Sequence, residues 1–248
     1  MKINIHAGHN PDGIVASGAV GLIKESTEAR KVKDKAIQYL RNEKHTVYDC
    51  TCNNGTSQND VLQKIVSKCN SNKVSYDVSI HLNCGRNDKK GDNKTGGVEV
   101  WVYSKTSSAY NAAVRVADKI SKSLGITNRG VKVSSEFYVL RKTNSPSMIV
   151  ECCFVDDADD AKKWSADKCA KAIVEGILNK SIETHKATQT FKDYKVKVTK
   201  SMNVYKAIDK VNKDDVFTIV EEKRIGSSKY GRLKSGAGWI CLDDTKKM

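Results

Sequence analysis

An α/β fold is expected over residues 1–179 of this 248-residue chain: a mixed, mostly parallel twisted sheet flanked by helices on both faces, followed by a small all-β barrel. Three observations predict it. Short apolar strand-like runs alternate with stretches of helical periodicity up to about residue 179. A polar stretch without apolar period follows, and closely spaced β-like runs separated by turn-prone residues take over after it.

The strand-like runs are "KINIH" (2–6), "TVYDC" (46–50), "YDVSIHL" (76–82), "GVEVWVY" (97–103) and "SMIVECCF" (147–154). Helices are expected between and after them at 22–43, 57–70, 107–124 and 157–179. In the last of these Ala161, Trp164, Cys169, Ala172, Ile173, Gly176 and Ile177 recur at about 3.6 residues, the mark of one apolar helix face. Residues 180–193, within "LNKSIETHKATQTFKDY", read as a linker. Residues 194–248 then supply "YKVKVT", "MNVYK", "DVFTIVEE", "YGRLK" and "GWICLDD", short runs suited to a small barrel.

Composition narrows the function classes. No apolar stretch approaches the roughly 20 residues that a bilayer requires, so no membrane span is expected. The opening "MKINIHAGHNPDG" lacks the apolar core of a secretory signal, and the eight cysteines show no repeated spacing. They read as reduced core thiols, and "CTC" at Cys50 and Cys52 is too isolated for a zinc knuckle. The net charge of +14 is spread along the chain, with 15 Lys and Arg against 9 Asp and Glu in residues 181–248 and 28 against 20 before them. Such a chain concentrates on polyanions, nucleic acid, anionic lipid or wall teichoic acid among them. It has no aromatic-basic cluster of a nucleic-acid motif, so nucleic acid is not an expected partner.

Ligand sites of open α/β sheets gather at the carboxyl ends of strands. Three expected strands end in ionisable residues: His6 and His9 after the first, His81 in "SIHLNC", and Glu151 in "SMIVECC". A hydrolytic zinc site uses three protein ligands and a water. His9, His81 and a carboxylate would supply such a set, with Glu25 and Glu28 both available in the first turn of the helix in "GLIKESTEARKVKDKAIQYL". Both would also be stabilised there by the helix dipole alone, and spacing does not separate them. Glu151 follows an apolar run, where a carboxylate needs a partner or a task. The alternatives are a general base and a glutamate paired with a lysine or Arg141. Cys152 and Cys153 raise a Cys-His hydrolase as a rival, against which stands the absence of an activating base nearby in sequence.

"IHAGHN", the helix that opens with Glu25, "SIHLNC" and "FYVLRKTNSPSMIVECCFVDDADDAKKW" together resemble the four signature regions of the zinc-dependent N-acetylmuramoyl-L-alanine amidases of the amidase-3 type, found in autolysins and endolysins. The resemblance covers roughly residues 1–178. It implies that His9, Glu25 and His81 bind Zn2+, that Glu151 is the catalytic glutamate, and that zinc-activated water cleaves the amide between N-acetylmuramic acid and L-alanine in Gram-positive peptidoglycan. Glu25 is preferred to Glu28 on the family's spacing to the next strand. The helix departs from the family at Ala29, where an asparagine often stands. Residues 194–244 resemble a bacterial Src-homology-3-like wall-binding domain through "MNVYKAI", "DDVFTIVEE" and "YGRLKSGAGWICLDD", with Tyr205, Tyr230 and Trp239 either lining a groove or filling a core. The expectation is an endolysin that reaches the wall through holin lesions or cell lysis, without stable membrane insertion. A zinc peptidase acting elsewhere in the stem peptide and a non-catalytic wall-binding protein are the alternatives.

Overall fold

The computed structural model describes residues 1–183, 194–198, 202–204, 209–211, 215–225, 227–234 and 238–247. The chain divides into two compact units, Met1–Thr184 and His185–Met248. None of the helices described is long and apolar enough to cross a membrane.

The first unit is built on a six-stranded sheet of β1 (Lys2–Ala7), β2 (Thr46–Asp49), β3 (Tyr76–Asn83), β4 (Val98–Val102), β5 (Asn128–Val133) and β6 (Ser147–Phe154), in the order β2-β1-β3-β6-β4-β5. Every neighbouring pair is parallel except β4 with β6, so the sheet is mixed and mostly parallel as expected. Six helices accompany it: α1 (Glu25–Asn42), α2 (Gln58–Asn70), α3 (Tyr110–Leu124), α4 (Tyr138–Lys142), α5 (Ala158–Lys163) and α6 (Ala166–Leu178). Alternation along the strands sends Ile3, Ile5, Val78, Ile80, Val100 and Val150 into one large core with the apolar faces of α1, α3 and α6. A smaller cluster of Val61, Ile65, Cys69 and Val139 places α2 and α4 over the other face.

Three differences from the sequence reading have local causes. The helix expected over 157–179 is two helices, because Trp164 has extended backbone (ψ 136°) and Ser165 starts a new helix by accepting from the Lys168 amide. Strand β5 and the single-turn α4 were not expected; β5 is a half-exposed edge strand, NRGVKV, with too few apolar residues to signal itself. All eight cysteines are free, and six are buried, but Cys84 is exposed and Cys241 only partly covered.

The second unit holds β7 (Tyr194–Val198), β8 (Met202–Val204), β9 (Asp209–Val211), β10 (Val216–Ile225), β11 (Ser228–Leu233), β12 (Trp239–Cys241) and β13 (Thr245–Lys247). Five of them form an antiparallel sheet in the order β12-β11-β10-β7-β13, and β8 pairs with β9. Val196, Ile219, Leu233 and Ile240 are buried hydrophobic residues among those described. Trp239 is half-buried with the Lys223 ammonium 4.2 Å from its ring centroid. Tyr205 and residues 184–193 of the expected linker lie outside the described residues.

Candidate metal centre

Parallel pairing of β1 and β3 brings their carboxyl ends together, and the Gly8 amide continues the ladder by donating to the Ile80 carbonyl at 2.9 Å. The chain then turns at His9, whose backbone adopts φ +64°, a conformation unfavourable for a residue with a Cβ. Arg30 on α1 holds that turn by donating to the His9 carbonyl at 3.0 Å, and Asn10 braces it by donating to the Val15 and Gly55 carbonyls. Two glycines make room for the side chains: a Cβ on Gly8 would overlap the His81 ring, and one on Gly18 (φ +81°) would crowd Glu25 and His9.

His9, Glu25 and His81 meet in the space so formed. Glu25 Oε1 lies 2.9 Å from His81 Nδ1 and 3.2 Å from His9 Nε2, the two rings stand edge to face at 5.0 Å, and one potential ligand atom from each residue falls within 4.8 Å of the others. Glu25 is buried and also accepts from the Ala19 and Leu82 amides, which fix its carboxylate. Burial alone would push its pKa up, but the hydrogen bonds and charges of His81 and His9 hold it well below the ordinary carboxylate range. Burial likewise works against a charged His81, and Glu25 with Glu151 more than offsets it, raising that pKa. Ligand atoms of a tetrahedral zinc site stand roughly 3.3 Å apart for bonds of about 2.0–2.1 Å, so two imidazole nitrogens and a carboxylate oxygen at these separations fit such an ion. Glu28 points elsewhere, bonded to Lys31 at 2.6 Å and to the Trp164 indole at 2.8 Å.

Glu151 on β6 is the in-register neighbour of His81 on β3 and of Glu99 on β4. It is partly buried, with its Oε2 enclosed and without a hydrogen-bond partner, and neither Arg141 nor any lysine pairs with it among the described residues. Burial pushes its pKa up to about 7, which His81 partly opposes and Glu25 and Glu99 reinforce. A carboxyl group poised near neutrality can take up and release a proton at the operating pH. Glu99 is held differently, accepting from Arg129 at 2.7 Å, Asn83 at 3.0 Å and the Trp101 indole at 3.2 Å. These four residues were not singled out in the sequence; the alternation of "GVEVWVY" puts Glu99 and Trp101 on one face of their strand, and only the pairing of β4 with β6 brings that face to Glu151. Cys152 and Cys153 are fully buried with pKa values raised by desolvation, which leaves neither as a nucleophile.

His6 does not join the ligand cluster. It is completely buried, held neutral by a pKa lowered to about 3, chiefly through desolvation. A second acidic group, Asp88, Asp157 and Asp159, is engaged structurally: Asp157 caps α5 through the Asp160 amide and pairs with Arg86, and Asp159 accepts from the Asp92 amide.

Two imidazoles and a carboxylate converging at parallel strand ends, with a second, unpaired carboxylate on the adjoining strand, define an α/β protein with a candidate metal centre of hydrolytic type. Residues 3–182 match the N-acetylmuramoyl-L-alanine amidase family, and the chain belongs to that family. It is 36% identical over 221 residues to an uncharacterised protein of Clostridium perfringens, covering 87% of this chain and 63% of that one. It is 26% identical over 265 residues to the endolysin of Bacillus phage SPP1, covering 94% of this chain and 92% of the endolysin. Among solved structures, the catalytic domain of the CD27L endolysin targeting Clostridia difficile superposes with a TM-score of 0.64 at 28% identity, covering 74% of this chain and 99% of that domain. The chain spans less than two thirds of the C. perfringens relatives it matches, 63% of one and 54% of another.

Proposed function

We propose that the chain is a peptidoglycan hydrolase that cleaves the amide between N-acetylmuramic acid and L-alanine, with Zn2+ held by His9, Glu25 and His81 and with Glu151 as the catalytic residue. The observation that carries this reading is the convergence of both imidazoles on one Glu25 oxygen beside a glutamate whose enclosed Oε2 has no partner among the described residues. Bound zinc supplies Lewis acidity toward the scissile carbonyl and a nucleophile at neutral pH. The protein's own residues do the rest. Glu25, fixed by two backbone amides, orients both imidazoles, while Gly8 and Gly18 keep Cβ atoms out of their way. The Glu151 carboxylate takes the proton from the attacking water and delivers it to the leaving alanine nitrogen. Glu99, paired with Arg129, adds negative potential that keeps Glu151 ready to hold that proton.

Residues 1–179 form the catalytic domain in this reading, 180–193 the linker and 194–248 a Src-homology-3-like module that holds wall peptidoglycan and raises local enzyme concentration. The antiparallel sheet of the second unit supports that assignment, and the relatedness to a phage endolysin supports action on the wall of a Gram-positive host after release from the cell. The test is product analysis after incubation with Gram-positive peptidoglycan, with and without a chelator. Chelator-sensitive release of L-alanine amino groups without new reducing ends is expected. Another amino terminus would indicate a zinc peptidase, and no product on several walls with added zinc would indicate a binding protein. Deleting residues 194–248 is expected to weaken co-sedimentation with walls; undiminished binding would remove the module's assigned role.

A further inference from the structure

The polar face of the sheet continues inward from the metal centre. Asn4 and His6 on β1 pair in register with Asp77 and Ser79 on β3, and the next alternate positions are Gly8 and His81. Asn4, His6, Asp77 and Ser79 are all buried. At the inner end Asn4 donates to Asp77 and to the Cys69 carbonyl. At the outer end His6 Nδ1 lies 3.5 Å from Ser79 Oγ, whereas His6 Nε2 is buried with no partner among the described residues. Leaving such a nitrogen unsatisfied costs about 1–3 kcal/mol, and native proteins rarely do so.

His6 borders a cavity of about 30 Å³, lined on its polar side by Ser79, His9 and His81 and on the α2 side by Val61 and Ile65. A water molecule needs roughly 10–15 Å³ of such space and two to four polar partners. His81 and Gly8 both border this cavity, the Nδ1–Cε1–Nε2 edge of the ring lies over Gly8, and Nδ1 is the nitrogen bonded to Glu25, which leaves Nε2 for another partner. An imidazole that ligates through Nδ1 carries its proton on Nε2, and metal-bound histidines regularly give that proton to an outer partner that fixes ring and tautomer.

We propose that His6 is a positioning residue for the metal centre: one ordered water in this cavity accepts from His81 Nε2–H and donates to His6 Nε2, fixing the orientation and tautomer of that ligand. Ser79 sets the matching tautomer of His6, its hydroxyl accepting from Nδ1–H so that Nε2 is left as the acceptor. The inference rests on the reading of His9, Glu25 and His81 as metal ligands.

The test is zinc competition against a chromophoric chelator with the full chain, wild type beside His6→Phe, which keeps the ring volume and removes both nitrogens. Wild type is expected to bind one zinc, and the variant to bind it about 10–100-fold more weakly. The visible spectrum of the cobalt-substituted variant should shift, while the thermal midpoint of the metal-free protein holds or rises. His6→Gln, which returns a hydrogen-bonding amide to the cavity, should recover most of the affinity. Equal zinc affinity and identical cobalt spectra for wild type and folded His6→Phe would overturn the inference and leave the metal centre standing. Failure of the wild type to bind zinc would overturn both. If His6→Phe does not fold, Val61→Leu fills the cavity and leaves His6 in place; the same loss is expected there, and unchanged affinity would remove the water bridge.

Discussion

One sheet carries two kinds of chemistry on its two faces. Toward α1, α3 and α6 the strands present Ile3, Ile5, Val78, Ile80, Val100 and Val150, all fully buried among aliphatic side chains. Toward the opposite side the same strands present Asn4, His6, Asp77, Ser79, His81, Glu99 and Glu151. The alternation of a strand is enough to separate these sets, because neighbouring residues point to opposite faces. The larger apolar core thus lies on one face. The other, beneath the smaller cluster of α2 and α4, carries the imidazoles and carboxylates of the proposed chemistry.

Substitutions on each face should therefore have separable effects. The largest is expected from Glu151→Gln: turnover of peptidoglycan should fall about 10²–10⁴-fold, while zinc content and thermal stability hold, since a partly buried carboxylate is exchanged for a neutral amide. A stability loss that accounts for the lost turnover, seen by thermal melting, would dissolve the contrast. On the aliphatic face Ile80→Ala should cost about 2–5 kcal/mol in denaturant unfolding through lost burial and the cavity left behind. Turnover per folded molecule should stay near wild type there, and a selective loss of turnover would show that the faces are coupled. The smallest effect is expected from Glu28→Gln, on the same helix turn as Glu25. It gives up an ion pair with the exposed Lys31, worth about 0–1 kcal/mol, and keeps an acceptor for Trp164. Loss of zinc in that variant would reassign the ligand.

The apolar strands and long helices were legible because periodicity alone encodes them. Strand β5 was not, since an edge strand with half-exposed residues carries little of that signal, and the break between α5 and α6 was masked by an apolar stripe that runs across Trp164 and Ser165. At the site, His9, His81 and Glu151 could be singled out by their places at strand ends. Glu25 and Glu28 could not be separated by spacing, because residues three apart share a helix face. Their difference is tertiary: Glu25 reaches the ends of β1 and β3, and Glu28 reaches Trp164 before α6. Glu99 and the buried Asn4–Asp77 and His6–Ser79 steps likewise acquire meaning only once strand register is known.

The most direct measurement is zinc per chain, by elemental analysis after dialysis, for the wild type and for Glu25→Gln, Glu28→Gln and Glu151→Gln. The account predicts one zinc in the wild type, one in Glu28→Gln and Glu151→Gln, and a loss confined to Glu25→Gln. Zinc retained by Glu25→Gln, or absent from the wild type, would contradict it.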